Sequence, residues 1–299
     1  MSLRKPVTTV ILFVLLLCPY SLQAQTDEGS SLDMKSLEVT NITLSSAAIS
    51  WVTDHKSTNN WVEIIPVGSD TVITFHDQYS IPHYVHYLVL IDLKPATEYK
   101  FRLGSNGTVW DNDDTLYSFK TLESATVVAP KAIYGQVVDT EDNSLNRVLV
   151  RIRIKKEGED YSLTRSVLTN SEGLWTTTYT DFYSKDGFLY YSETGDKVII
   201  ECISNYWSAT VDSSAVLNGS SPQSLGKVAV NVFDPEKVIR GDLDGSGAIN
   251  IFDLLDMLKI LAGRLDTGDG RLFQAADIDI NGVVNIFDLL ALLKLLKNA

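Results

Sequence analysis

The sequence is poor in sulfur, in imidazole and in positive charge. Only two cysteines occur in 299 residues, and one of them, Cys18, lies in an apolar N-terminal run. If that run is removed, Cys202 has no intrachain partner, and disulfides contribute nothing to stability. Cys202 stands in the alternating stretch Val198-Ile-Ile-Glu-Cys-Ile203, where a lone cysteine reads as a small buried hydrophobe. A catalytic thiol needs an imidazole, and the four histidines (His55, His76, His83 and His86) all lie far upstream. Lys and Arg number 25 against 38 Asp and Glu, for a net charge of −13. That balance excludes nucleic acid and anionic membrane surfaces as partners, because phosphate would be repelled. Nucleophile elbows, HExxH, P-loops and dinucleotide fingerprints are absent from the sequence. A pair of carboxylates for glycoside chemistry would need only about 5–10 Å of separation, which no motif reports.

Long hydrophobic runs are lacking too. Met1-Ser-Leu-Arg-Lys5 precedes an apolar run ending at Leu17, and Gln23-Ala24 follows. The basic start, short apolar stretch and small residue read as a signal peptide over 1–24. The run falls short of the roughly 20 residues that span a bilayer, so no membrane span is expected after its removal. Lipidation at Cys18 and a retained signal anchor are the other readings of this segment.

What the chain does have is a repeat. Asp242-Leu-Asp-Gly-Ser-Gly-Ala-Ile-Asn-Ile-Phe-Asp253 recurs 35 residues on as Asp277-Ile-Asp-Ile-Asn-Gly-Val-Val-Asn-Ile-Phe-Asp288, each running into a leucine-rich segment. Hard cations such as calcium take several oxygen ligands at about 2.3–2.6 Å, and alternate positions of a tight twelve-residue loop deliver them. The first loop offers Asp242, Asp244, Ser246, the Ala248 carbonyl, Asn250 (often through a water) and Asp253. The second offers Asp277, Asp279, Asn281, the Val283 carbonyl, Asn285 and Asp288. Gly247 and Gly282 occupy the sharp turn at position 6. Ile249 and Val284, at position 8, are placed to join the loops by a short β-bridge. Two Ca2+ ions are expected. The competing account is an acidic turn before each helix, with Asp253 and Asp288 as favourable N-terminal charges.

Over residues 239–298 the pair resembles a type I dockerin, a small all-α calcium module of paired loop–helix repeats that plugs into cohesin domains. As in that family, position 12 is Asp rather than the Glu of an EF-hand, and Asp234-Pro235 leaves no room for an entering helix. Position 5 departs from the family's usual Asp, being Ser246 and Asn281. Each site thus has three carboxylates, which lowers the expected calcium affinity. The partner-reading positions 10 and 11, commonly small hydroxyl residues, are here Ile251-Phe252 and Ile286-Phe287, flanked by Lys259 and Lys294. The resemblance implies a cohesin-like protein partner. Because the repeats match, it also implies two docking orientations related by a half-turn. The following helices are apolar on nearly every side, more than the roughly 100° stripe a helix needs for its own core, so an exposed apolar patch is expected. Packing of that patch on a neighbouring module, or self-association, would also account for it.

The middle of the chain reads as strands. Residues 35–122 contain Ala47-Ala-Ile-Ser-Trp51-Val-Thr, with Ile49 and Trp51 on one face, and Leu93-Lys-Pro95-Ala-Thr97-Glu-Tyr99. In the latter pattern a tyrosine hydroxyl bonds back to a corner. The segment resembles a fibronectin type III domain, and more closely the sandwich that precedes the catalytic domain of purple acid phosphatases. The downstream metal-binding motifs of those enzymes are missing. His83-Tyr-Val-His86 places two imidazoles three residues apart, on opposite faces of a strand, so they read as surface or loop histidines.

After a polar Glu123-Ser-Ala-Thr hinge, residues 130–233 form a second block. It has an alternating strand with Val148, Val150, Ile152 and Ile154 inward and Leu149 aside. Its pattern is similar to carboxypeptidase regulatory-type, transthyretin-like sandwiches. The turns at Asp142-Asn143 and Asn170-Ser-Glu172 are structural in this reading. The cluster Trp175, Tyr179, Phe182, Tyr183, Phe188, Tyr190, Tyr191, Tyr206 and Trp207 reads chiefly as core; outward rings would suit a polysaccharide. The expected molecule is mainly β and multidomain: two β-sandwich modules followed by the dockerin. It is expected to be secreted and non-catalytic, docked to a cohesin-type partner in an extracellular or cell-surface assembly. A glycan-binding accessory of polysaccharide degradation is the alternative.

Overall fold

The computed structural model describes residues 32–205, 209–232, 238–267 and 270–298. The signal-peptide reading, Tyr206 and Trp207 lie outside them. Eight strands build the first module: β1 (Met34–Thr40), β2 (Ala47–Ser57), β3 (Asn60–Pro66), β4 (Ile73–His76), β5 (His83–Leu90), β6 (Glu98–Ser105), β7 (Thr108–Trp110) and β8 (Tyr117–Lys120). They form one sheet in the order β1-β2-β5 and a second in the order β4-β3-β6-β7, with β8 also paired to β6. The inward halves of the alternating strands meet between the sheets. Ile49, Trp51, Val62, Ile64, Leu90, Tyr99, Phe101 and Leu103 form the core there. Tyr99 is buried, and its hydroxyl accepts a 2.8 Å hydrogen bond from the Lys94 amide, closing the expected corner.

The second module is also a sandwich. Its strands are β9 (Ala132–Val138), β10 (Leu149–Lys155), β11 (Arg165–Leu168), β12 (Leu174–Thr178), β13 (Lys197–Ile203), β14 (Ala209–Val216) and β15 (Gln223–Ala229). The sheets run β11-β10-β13-β14 and β12-β9-β15, and β15 lies parallel to β9. Val148, Val150, Ile152 and Ile154 point into the core as their alternation predicts, with Trp175, Tyr179, Phe182, Tyr190 and Cys202. Gly135 is where Trp175 crosses β9: a Cβ there would lie 2.8 Å from the indole, so only glycine lets the ring pack flat.

The other face of β10 departs from expectation. Leu149, read as lying aside, is fully buried, because β10 and β13 turn that face toward the first sandwich. Leu149 and Ile203 pack there on Val52 and Val85. Each such fully buried side chain contributes about 1.5–3 kcal/mol. Arg151 shares the face and is buried. Its Nε lies 3.1 Å from Glu38, its Nη1 3.5 Å from Glu201, and its Nη2 donates to Ser50 Oγ at 3.1 Å and to the Ser36 carbonyl. Asn41 completes the seam, donating to the Ser166 carbonyl (2.8 Å) and accepting from the Ser166 amide (2.9 Å). The exposed polar segment after Leu122 therefore links two modules that share a buried face, instead of acting as a free hinge.

The C-terminal module holds α1 (Ile251–Leu261), α2 (Arg271–Ala276) and α3 (Ile286–Asn298). Two helices were expected; α2 adds Ala275 and Ala276 to a small core with Leu243, Met257 and Leu292. No helix among the described residues is long and apolar enough to cross a membrane.

Candidate calcium centre and docking face

Each loop ends in a carboxylate that also opens a helix. Asn250 caps α1, its Oδ1 accepting from the Phe252 amide at 2.8 Å, while Asp253 Oδ2 accepts from the Asn250 amide at 2.7 Å. The second loop repeats this reciprocal cap: Asn285 Oδ1 accepts from Phe287 (2.7 Å) and Asp288 Oδ2 from Asn285 (2.8 Å). The remaining oxygens of Asp253 and Asp288 reach back across their loops. Asp253 Oδ1 accepts from the Asp244 amide (3.0 Å), and Asp288 Oδ1 from the Ile278 and Asp279 amides (2.8 and 3.2 Å). Position 12 thus ties loop to helix before any ion is considered.

The first-position carboxylates fold inward. Asp242 Oδ2 accepts from the Gly247 amide (2.9 Å), and Asp277 Oδ2 from Gly282 (3.0 Å). Gly247 and Gly282 have φ of 86° and 79°, the left-handed conformation that makes glycine the fitting residue. One carboxylate oxygen each from Asp242, Asp244 and Asp253 lies within 4.8 Å of the other two, and the same holds for Asp277, Asp279 and Asp288. Asp242, Asp253, Asp277 and Asp288 are buried, while Asp244 and Asp279 are exposed. Hydrogen bonds from Ser246 hold the Asp244 carboxyl below its usual range. Asp242 Oδ1 is buried with no hydrogen-bond partner among the described residues. Three converging carboxylates and an orphaned buried carboxylate oxygen fit a hard divalent cation, whose charge would offset their mutual repulsion.

The other expected ligands gather around the same loops. Ser246 Oγ lies 3.2 Å from the Ala248 carbonyl, and Asn281 Nδ2 donates to Asp279 (2.9 Å). Asn250 and Asn285 point their Nδ2 at the Ala248 and Val283 carbonyls (3.0 and 3.1 Å), with Oδ1 committed to the helix caps. An indirect role through water suits them better than direct ligation. Ile249 and Val284 form no β-bridge. Both pack into the helical core, where Ile249 Cδ1 would touch a Cβ at Gly241. Two arginines were missed in the sequence. Arg240 donates to the Gln274 carbonyl at 3.1 Å and to that of Asp277. Arg271, from α2, donates to the Asp242 carbonyl at 2.9 Å and to that of Leu243. Each arginine lies next to one loop in sequence and braces the other in space, a pairing that spacing alone does not reveal.

Helix α1 buries Asp253 and Met257, and α3 buries the equivalent Asp288 and Leu292. Outward, Ile251, Phe252, Leu255 and Leu258 are about as exposed as their repeat-mates Ile286, Phe287, Leu290 and Leu293. Phe252 stands at 64% and Phe287 at 65%. Lys259 and Lys294 are exposed beside them, Lys259 pairing with Asp256 at 2.7 Å.

Residues 240–297 match the family model of the Dockerin type I domain. The C-terminal module is a type I dockerin. Type I dockerins are calcium-binding domains that partner cohesins and occur in extracellular cellulosome components. Ahead of the dockerin, residues 35–121 match the model of the Purple acid Phosphatase, N-terminal domain. No curated protein matches the chain. Similar solved structures include a computationally redesigned β-sandwich protein (23% identity, 29% of this chain and 92% of that one, TM-score 0.24). The sensor domain of an anti-sigma factor from Pseudobacteroides cellulosolvens is 22% identical over 32% of this chain and 99% of that one (TM-score 0.21). A two-domain fibronectin type III segment of chicken tenascin is 12% identical over 62% and 98% (TM-score 0.23).

Proposed function

We propose that this chain is a secreted, non-catalytic modular protein. Its dockerin binds two calcium ions, one in each loop, and docks the paired sandwiches onto a cohesin-type protein of an extracellular or cell-surface assembly. The middle sandwich is carboxypeptidase regulatory-like in this reading. The observation that carries it is the doubled apolar face: Ile251-Phe252 and Ile286-Phe287 protrude from helices whose own core is already filled by Met257 and Leu292. Surface of that kind marks an interface. The test is binding of the full chain to cohesin domains in millimolar calcium and in chelator. Capture that requires calcium supports the reading. Indifference to every cohesin tried, with the dockerin folded, removes it.

A second reading has a specific observation behind it. Phe188 (74% exposed) and Tyr191 (63% exposed) stand outside the second sandwich while the rest of the described aromatic cluster is buried. Tyr191 edges a cleft of about 440 Å³ lined also by Lys156, Asp160, Tyr161, Lys185 and Asp186. Aromatic faces beside carboxylates and ammonium groups suit sugar C–H faces and hydroxyls. Retention on insoluble polysaccharide, lost in Tyr191→Ala, would favour a glycan-binding accessory.

A further inference from the structure

The two histidines expected at the surface are buried together. His83 is 7% exposed and His86 fully buried, with ring centroids 4.9 Å apart. They meet where the pairing of β2 with β5 is irregular. Five steps of β2, from Val52 to Ser57, oppose two of β5, from Val85 to His83. A carboxylate joins them from just past β4: Asp77 Oδ2 lies 2.9 Å from His83 Nε2. One ligand atom each from Asp77, His83 and His86 falls within 4.8 Å of the other two.

Hydrogen bonds fix which nitrogens are bare. Thr53 Oγ1 donates its only proton to the His55 carbonyl (2.7 Å), so its 2.8 Å contact with His86 Nε2 makes that nitrogen the donor. Ser57, 3.4 Å from the same nitrogen, has likewise given its proton to Asn60 Oδ1. His86 is therefore neutral with its lone pair on Nδ1, which is buried without a hydrogen-bond partner among the described residues. His83 Nδ1 donates to the Ile81 carbonyl at 2.6 Å, which leaves Nε2 toward Asp77. Arg147, from the second sandwich, brings Nη2 to 2.9 Å from that same Nε2 and 3.7 Å from Asp77 Oδ2.

No protonation of His83 satisfies this cluster. If Nε2 is bare, its lone pair faces a carboxylate oxygen. If it is protonated, its N–H serves Asp77, and the Arg147 Nη2 donor 2.9 Å away faces a nitrogen with no lone pair left to accept. A metal ion held by Asp77, His83 and His86 would resolve both conflicts. The other nitrogens are already held by a backbone carbonyl and a hydroxyl, the usual outer support of ligating histidines. We propose that Asp77, His83 and His86 form a transition-metal site of the two-histidine, one-carboxylate class at the seam between the sandwiches, and that Arg147 stands in as its cation when metal is absent. Imidazole donors select Zn2+, Ni2+ or Cu2+ over calcium. Arg147 yields the place readily, since its guanidinium already stacks 4.2 Å from the Tyr79 ring and its Nε has no hydrogen-bond partner among the described residues.

The test uses the full chain with calcium saturating the dockerin loops, Zn2+ followed by calorimetry and Co2+ by visible absorption. One equivalent of Zn2+ is expected. Asp77→Asn and His83→Gln, both near-isosteric, should weaken it about tenfold or more. Arg147→Gln should tighten it about tenfold, because a competing like charge is gone. Near-UV circular dichroism verifies folding of each variant. Zn2+ binding that survives Asp77→Asn and His83→Gln belongs to exposed His55 or His76 and overturns the proposal. So does a folded Arg147→Gln protein that binds neither metal: the cluster is then only an ionic joint between modules.

Discussion

Leu149 and Leu255 are leucines that their own modules do not need, and they meet opposite fates. Leu149 sits on the outer face of β10, away from its sandwich core, and is fully buried against Val52 and Val85 of the neighbouring module. Leu255 sits on the outer face of α1, is 50% exposed, and is repeated by Leu290 on α3 at 49%. Between the sandwiches, the seam combines an apolar centre with a buried, ion-paired arginine and a backbone-matched asparagine, as a permanent interface does. The dockerin face keeps its apolar side chains outside and its charges at the edge, as a surface awaiting a partner does. An apolar outer face therefore says that something covers it, and only the neighbouring elements say whether the cover is part of the same chain.

The largest effect that separates these regions is calcium removal. The dockerin has a small core and two groups of three converging carboxylates, so metal binding adds directly to its folding free energy. Chelation should melt α1 and α3, read as lost helicity and rapid C-terminal proteolysis, while Cys202 in the second sandwich stays shielded from thiol reagents. Asp253→Ala and Asp288→Ala should each reproduce half of the calcium response. Equal helicity and protease resistance in chelator and in calcium would break this contrast.

Next in size is the double change Phe252→Ala with Phe287→Ala. Central aromatic anchors each carry about 2 kcal/mol or more of an interface, so losing both should abolish cohesin capture. Each single change should cost little, because the half-turn-related face substitutes. If either single variant binds as poorly as the double, one fixed orientation replaces the two-way mode.

The leucine comparison can be made directly in unfolding experiments. Leu149→Ala should destabilise the sandwich pair by about 2–5 kcal/mol, the range for buried leucine truncation. Leu255→Ala should change stability by no more than about 0.5 kcal/mol, as exposed substitutions do, and should act on partner binding instead. Equal losses at the two sites would mean that the dockerin face is covered within the chain.

The smallest effect is a titration. Burial, then the nearby Glu201 charge, push the Cys202 thiol up to about 12 from 9.0. The native state holds this proton more tightly than the unfolded chain. Its contribution is thus complete below about pH 9 and fades as pH rises toward 12. Thiolate absorbance appearing near pH 9 in folded protein would contradict the burial of β13.

Whatever repeats or alternates locally is legible in the chain without its neighbours. Two twelve-residue loops in register named their carboxylates, because a calcium loop draws nearly all its ligands from one short segment. The inward set Val148, Val150, Ile152 and Ile154 and the Tyr99 corner followed from period two and from a local turn. Features that depend on distant neighbours emerge only in the packed fold. Leu149 looked peripheral because nothing near it in sequence reveals the first sandwich. Arg240 and Arg271 brace each other's loops across 28 to 37 residues, and Ile249 joins a core that α2 completes. His83 and His86, three apart on β5, fall on opposite faces under simple strand alternation. They meet beside Asp77 and Arg147 where the pairing of β2 with β5 becomes irregular, and such an irregularity belongs to the pairing of two strands, so neither strand's sequence shows it alone.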